Sequence, residues 1–203
     1  MAENKSTNRP RQAINRKISV AIITVSDLAF EGLYKDESGP IVANVFTEDV
    51  YDVVSKTIVA DEINGIMNEL LRCADEARVD VIMTVGGSGC SSRDVTPDAT
   101  AKVIEKEVPG ISELIRMMNW ERYPKMIYSR GISGIRKESL IINVPGNPEG
   151  ARIATETVVG SIPHCIKTLQ TQKPRKKRHG AGASSNRNPM AASSKTQKFR
   201  NTT

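Results

Sequence analysis

The nine residues ISVAIITVS (18–26) form an almost unbroken apolar run, rich in β-branched side chains. A strand with one wet face alternates apolar and polar residues. A continuous run instead needs cover on both faces, as strands of a parallel sheet have. The rest of the chain must then supply similar strands and the helices that cover them. VSKTIVA (54–60), DVIMTVGG (80–87) and SLIINV (139–144) read as further strands. Between them the period changes to that of a helix. Residues 40–52 begin with Pro40 at the first helical position and carry Ile41, Val42, Val45, Phe46 and Val50. Residues 62–78 place Ile63, Ile66, Met67, Leu70, Leu71 and Ala74 on one face. Helices are also expected at 97–107, with Thr96 as N-cap, and at 111–122, followed by a hairpin-like segment near 124–138. A last helix over 148–171 should break near Ser161, because Pro163 lacks the N–H the helix needs. Alternating strands and helices predict one α/β domain, with a mostly parallel sheet and helices on both faces.

Charge divides the chain of 203 residues, whose net charge is +6. Residues 1–17 hold five basic side chains and one acidic, and residues 173–203 hold nine basic and none acidic. The core, 18–172, is left acidic, with fifteen basic against twenty-two acidic side chains. KPRKKRHGAGASSNRNPMAASSKTQKFRNTT is polar and nearly free of large apolar residues, so disordered basic arms are expected at 1–17 and 173–203. Such an arm attracts an anionic partner weakly through charge alone, or simply aids solubility. The three cysteines include no CxxC pair, which predicts reduced thiols. With no apolar run of about 18 residues and no leader-like N-terminus, a cytoplasmic protein without a membrane span is expected.

In an open parallel sheet, ligands bind outside the carboxyl ends of the strands. Each polar, glycine-punctuated stretch falls at such an end: SDLAFEGLYKDESGP after the first strand, ADE (60–62) after the second, GGSGCSSRD after the third and VPGNP (144–148) after the last. Glycines let backbone N–H groups approach an anion, and a following helix N-terminus adds its dipole. The loop matches neither GxxxxGK[ST] nor GxGxxG. Asp61 and Asp94 beside phosphates would repel them unless a hard cation intervened, and Mg²⁺ held by one or two carboxylates plus phosphate oxygens meets that need. Taken singly, each aspartate reads first as a helix cap or a solvated surface side chain. His164 and His179 fall in no catalytic pattern.

GGSGCSSRDVTPDAT (86–100), with SD at 26–27, YKDESGP, ADE at 60–62, SRGISGIRKESLIINVPGNPEG and the closing helix, resembles the molybdopterin adenylyltransferase family, which includes the MogA/MoaB-type bacterial proteins and the G domains of gephyrin and its plant counterpart. The resemblance spans residues 18–172. It implies a three-layer α/β/α molybdopterin-binding fold, a homotrimer, and transfer of AMP from Mg-ATP to the molybdopterin phosphate with release of pyrophosphate. It also implies residue roles: Asp61 and Asp94 are catalytic and act through Mg²⁺. Gly86, Gly87, Ser88, Gly89, Ser129 and Arg130 lie at the pterin and its phosphate. Ser26, Asp27, Asp36, Ser38, Gly39, Pro145, Gly146, Asn147 and Pro148 lie near the nucleotide. Leu28, where many members have Arg, and Ser91-Ser92, where Thr/Ser-Pro is frequent, depart from the pattern without removing a charge the chemistry needs. Relatives of this fold also include trimeric pterin-binding scaffolds without catalysis; these commonly lose the RDVT and PGNP patterns that this chain keeps.

Overall fold

The computed structural model describes residues 16–171. The expected arms therefore lie outside the described residues, apart from Arg16 and Lys17. Six strands form one sheet in the order β2-β1-β3-β6-β5-β4. β1 (Ile18–Val25), β2 (Tyr51–Val59), β3 (Val81–Val85) and β6 (Ser139–Val144) run parallel. β5 (Ser133–Arg136) and the two-residue β4 (Lys106–Glu107) extend the sheet antiparallel.

The apolar runs behave as their composition requires. Along β1, Ile18, Val20 and Ile22 enter one core, while Ala21, Ile23 and Val25 enter the other. α2 (Ser38–Val45), α5 (Pro109–Met118), α6 (Pro148–Val159) and α7 (Ile162–Thr171) cover the first face. α3 (Ile63–Leu71), its π-helical continuation Arg72–Glu76, and α4 (Thr96–Val103) cover the second. The result is a three-layer α/β/α domain.

Several elements differ from expectation in their ends. The helix expected over 40–52 begins at Ser38 and stops at Val45. Its start is set by Asp36, whose Oδ1 accepts from the Gly39 N–H at 2.9 Å. Past its end, Tyr51 joins the sheet, packs edge-on against Phe46 with ring centroids 5.0 Å apart, and donates its hydroxyl to the Val159 carbonyl. Thr96 is not an N-cap: it lies inside α4, behind Val95, and its buried hydroxyl has no hydrogen-bond partner among the described residues. That helix ends at Val103 rather than 107, because Lys106 and Glu107 pair with β5. The segment near 124–138 is a 3₁₀ turn (Pro124–Tyr128) followed by β5, and the hairpin joins β5 to β6 through Lys137-Glu138. The short α1 (Asp27–Phe30) has no counterpart in the periodicity. The break before Pro163 occurs as expected, between α6 and α7.

The chain leaves β1 for β2 on one side and continues to β3 on the other. The crevice between the carboxyl ends of β1 and β3 is therefore the topological switch point of the sheet.

Candidate functional site

Four loops meet at that rim. After β3, Gly86 and Gly87 adopt φ of 109° and 57°, a region costly for other residues. Neither has room for a side chain. A Cβ on Gly86 would strike the Val25 carbonyl oxygen, and one on Gly87 would meet Thr96 Oγ1 and lie 3.0 Å from Asp61 Oδ1. The loop is held from behind through its carbonyls: Gly87 O accepts from the Thr96 N–H at 2.9 Å and Ser88 O from the Arg130 N–H at 2.8 Å. Within the described residues, the N–H groups of Gly87, Ser88 and Gly89 donate to nothing. Consecutive unbonded amides on a glycine loop are a cradle for an anion.

The carboxylates divide sharply in what they do. Asp36 is committed on both oxygens, to the Thr24 hydroxyl at 2.7 Å and to the Gly39 N–H. Asp94 Oδ2 accepts from the Ser91 N–H at 2.7 Å and closes the turn ahead of α4. Asp61 and Asp27 bond each other's backbone, each side chain accepting from the other residue's N–H at 2.9 Å. Burial pushes the Asp61 carboxyl above its ordinary value, and the charges of Asp27 and Asp94 push the same way against the Asp27 backbone bond and Arg93. Asp27 is held below the usual range by the Asp61 backbone N–H and by the Arg93 guanidinium.

Two clefts open on the rim. The first, of 250 Å³, is lined by Ser88, Gly89, Ser129, Pro145 and Asn147 with Tyr123, Lys125, Met126 and Tyr128. The second, of 300 Å³, is lined by Ser26, Asp36, Ser38, Asp61, Gly86 and Pro148 with Thr24, Tyr34, Lys35 and Arg93 among others. Gly87, Asp94 and Gly146 line both. The expected pterin and nucleotide sets thus fall largely on opposite sides of one junction. Gly86 is on the second side, and Pro145 and Asn147 are on the first. Asp27, Gly39 and Arg130 line neither cleft. Arg130 pairs instead with Asp98. Ser38 donates to the Gly146 carbonyl at 2.7 Å, and Asn147 caps α6 by accepting from the Gly150 N–H at 2.7 Å. Both side chains hold the rim together.

Sequence reasoning missed Tyr123, Lys125 and Tyr128, which carry no motif of their own; only their proximity to Ser129 would have flagged them. It also missed Arg93, which bridges Asp27 and Glu62. The buried Cys73 thiol, pushed up to about 11 by burial, offers no thiolate near neutrality. Among the described residues no group of three or more His, Cys, Asp or Glu could hold a metal ion. A cation here would rest on two carboxylates and its ligand's own oxygens.

The family model described as "Probable molybdopterin binding domain" matches residues 21–164, more than half of the chain and all four loops of the rim. This chain belongs to that family. The molybdopterin adenylyltransferase of Helicobacter pylori (strain ATCC 700392 / 26695) is 40% identical over 151 residues, covering 73% of this chain and 86% of the relative. The molybdopterin adenylyltransferase of Escherichia coli K12 is 33% identical over 168 residues, covering 75% and 86%. Among solved structures, the molybdopterin biosynthesis enzyme MoaB of Thermus thermophilus superposes with a TM-score of 0.73 at 36% identity. The match covers 76% of this chain and 98% of that one.

Proposed function

We propose that this chain is a nucleotidyltransferase of molybdenum cofactor biosynthesis, a molybdopterin adenylyltransferase that moves AMP from ATP to the molybdopterin phosphate. The observation that carries this reading is the pair of clefts meeting at Gly87, Asp94 and Gly146, with unbonded amides on one side and the Asp61 carboxylate on the other. Two anionic ligands, one of which must pass an adenylyl group to the other, need such a shared boundary.

In this reading the first cleft takes the pterin, with its phosphate on the N–H groups of Gly87, Ser88 and Gly89 and its polar edge towards Ser129. The second takes ATP between the Ser26 loop, the Asp36–Ser38 turn and Pro148. A phosphate oxygen of molybdopterin bonds to the α-phosphorus, the bond to the β-phosphate oxygen breaks, and pyrophosphate leaves. The chain contributes alignment and charge rather than a covalent intermediate. Asp61 Oδ1 and Asp94, both at the junction, would hold a Mg²⁺ ion, which when bound would neutralise phosphate charge there. Gly39 and Arg130 act from behind, through the bond to Asp36 and the bond to Ser88.

We also infer a cytoplasmic homotrimer. Leu114, Met117 and Met118 on α5, Trp120 in the turn after it, and Ile127 and Tyr128 on the 3₁₀ turn are exposed, from 41% for Leu114 to 76% for Met117, and supply apolar surface for self-association. No helix among the described residues is long and apolar enough to cross a membrane.

Purified full-length protein with ATP, Mg²⁺ and molybdopterin should yield adenylylated pterin and pyrophosphate in equal amounts. Pterin binding without either product would replace the enzyme by a non-catalytic pterin-binding scaffold.

A further inference from the structure

Asp27 carries a carboxylate at the rim yet lines neither cleft. Its Oδ1 accepts from the Asp61 N–H at 2.9 Å, and the Asp27 N–H donates to Asp61 Oδ2, also at 2.9 Å. The loops after β1 and β2 thus bond reciprocally. Arg93, on the loop after β3, places Nε at 3.1 Å and Nη2 at 2.6 Å from Asp27 Oδ2, and Nη1 at 3.2 Å from Glu62 Oε1. One guanidinium therefore ties together the loops that follow three adjacent parallel strands.

The geometry points to Asp27 and Arg93 as positioning residues: together they brace Asp61 so that a single oxygen, Oδ1, faces the junction of the clefts. The inference rests on the adenylyl-transfer reading of that junction. Asp61 Oδ2 is taken by the Asp27 N–H, while Oδ1 has no hydrogen bond within the described residues and lies beside Gly87. Thr96 Oγ1, buried and unpartnered, abuts the same Gly87. Arg93, the guanidinium in the second cleft, is spent on two carboxylates rather than left for a phosphate. Its side chain is 55% exposed, so the ion pairs contribute little to stability. What the brace changes is where Asp61 stands, and a misplacement near 1 Å at a reacting centre costs about 100-fold in rate.

The test uses full-length protein carrying Arg93→Ala, Arg93→Lys, Asp27→Ala, Asp61→Asn, or Asp61→Asn with Arg93→Ala. Arg93→Ala and Asp27→Ala should each lower kcat about 10- to 100-fold. The KM for ATP should move by less than about twofold and the unfolding midpoint should barely change. Arg93→Lys, which keeps the charge but not the fork, should recover part of the loss. On the Asp61→Asn background, Arg93→Ala should cost nothing further, because the residue it positions is gone. Independently of turnover, the Asp61 and Asp27 amides should exchange hydrogen at least about tenfold faster in Arg93→Ala, with the Ile82 amide unchanged. Equal losses on both backgrounds, or a raised KM for ATP, would show direct nucleotide contact and overturn the brace. Wild-type kcat in Arg93→Ala, or unchanged Asp61 exchange, would overturn it too. If the wild type transfers no AMP, the functional reading falls while the exchange result still decides whether Arg93 holds the Asp27–Asp61 pair.

Discussion

Asp80 and Asp61 stand at opposite ends of the same sheet and are treated in opposite ways. At the amino ends of the strands, Asp80 accepts from Arg16 through both Nη atoms at 2.6 and 2.8 Å, and from the Ser19 N–H and hydroxyl at 2.9 and 2.8 Å. Gln170 Nε2 adds a further bond at 3.0 Å. Burial raises its carboxyl, but Arg16 and Ser19 outweigh burial and hold it below the ordinary range. At the carboxyl ends, Asp61 is raised and, among the described residues, keeps one oxygen unpaired. A satisfied buried carboxylate supports the fold. One left short of partners stores free energy that a ligand can release.

The largest effect expected from breaking this contrast is in turnover. Asp61→Asn and Asp94→Asn should each cut adenylyl transfer by about 10³-fold or more while leaving pterin affinity near wild type. Near-normal transfer by either variant would remove that residue from the catalytic pair.

Gly87→Val sharpens the comparison from the ligand's side. Its β carbon would meet Thr96 Oγ1 and stand 3.0 Å from Asp61 Oδ1, on a backbone with φ of 57°. Calorimetry should show pterin binding abolished, and unchanged affinity would reduce the loop to a plain turn.

Asp80→Ala should do the reverse of Asp61→Asn, costing about 2 kcal/mol of stability by stranding the Ser19 N–H, with kcat at saturation intact. pH separates the two poles. The Asp80 contribution is present above the ordinary 3.8 and lost as pH falls through its lowered value. The Asp61 cost is absent below 3.8 and appears as pH rises through its raised value. Unfolding midpoints of Asp61→Asn should match wild type in acid and equal or exceed it near neutrality, whereas those of Asp80→Ala should fall short near neutrality and converge in acid. A common pH profile for both variants would dissolve the distinction.

The smallest effect belongs to the arms. Residues 18–172 should trimerise and keep their turnover at saturating ATP. Substrate affinity should weaken only at low salt, since basic arms offset an acidic core over a Debye length of about 8 Å at physiological salt. A start at 16 should be more stable than a start at 18, because Arg16 pairs with Asp80. A monomer by light scattering, or lost turnover at saturation, would place the arms within the fold.

Much of this is legible without coordinates. The β-branched runs dictate a sheet covered on both faces, since no other arrangement buries both sides of ISVAIITVS. Pro163 breaks the last helix because a missing N–H acts locally. GGSGCSSRD announces a tight glycine loop, because glycine is the residue that most readily takes the φ of 109° and 57° found at 86 and 87. Helix ends escape such reading where a distant partner decides them. Val50 continues the helical spacing after Pro40, but Tyr51 is claimed by the sheet and by the Val159 carbonyl.

Local chemistry, then, determined the strands, the proline break and the glycine loop, because each follows from steric and hydrogen-bonding limits acting within a few residues. The tertiary structure alone decided which charges are spent and which are free. Arg93 meets Asp27 across 66 positions, Arg16 meets Asp80 across 64, and Asp61 keeps an open oxygen only because Asp27, 34 positions away, takes the other. A carboxylate's partners are set by which loops the sheet brings together, and no stretch of sequence around it carries that information.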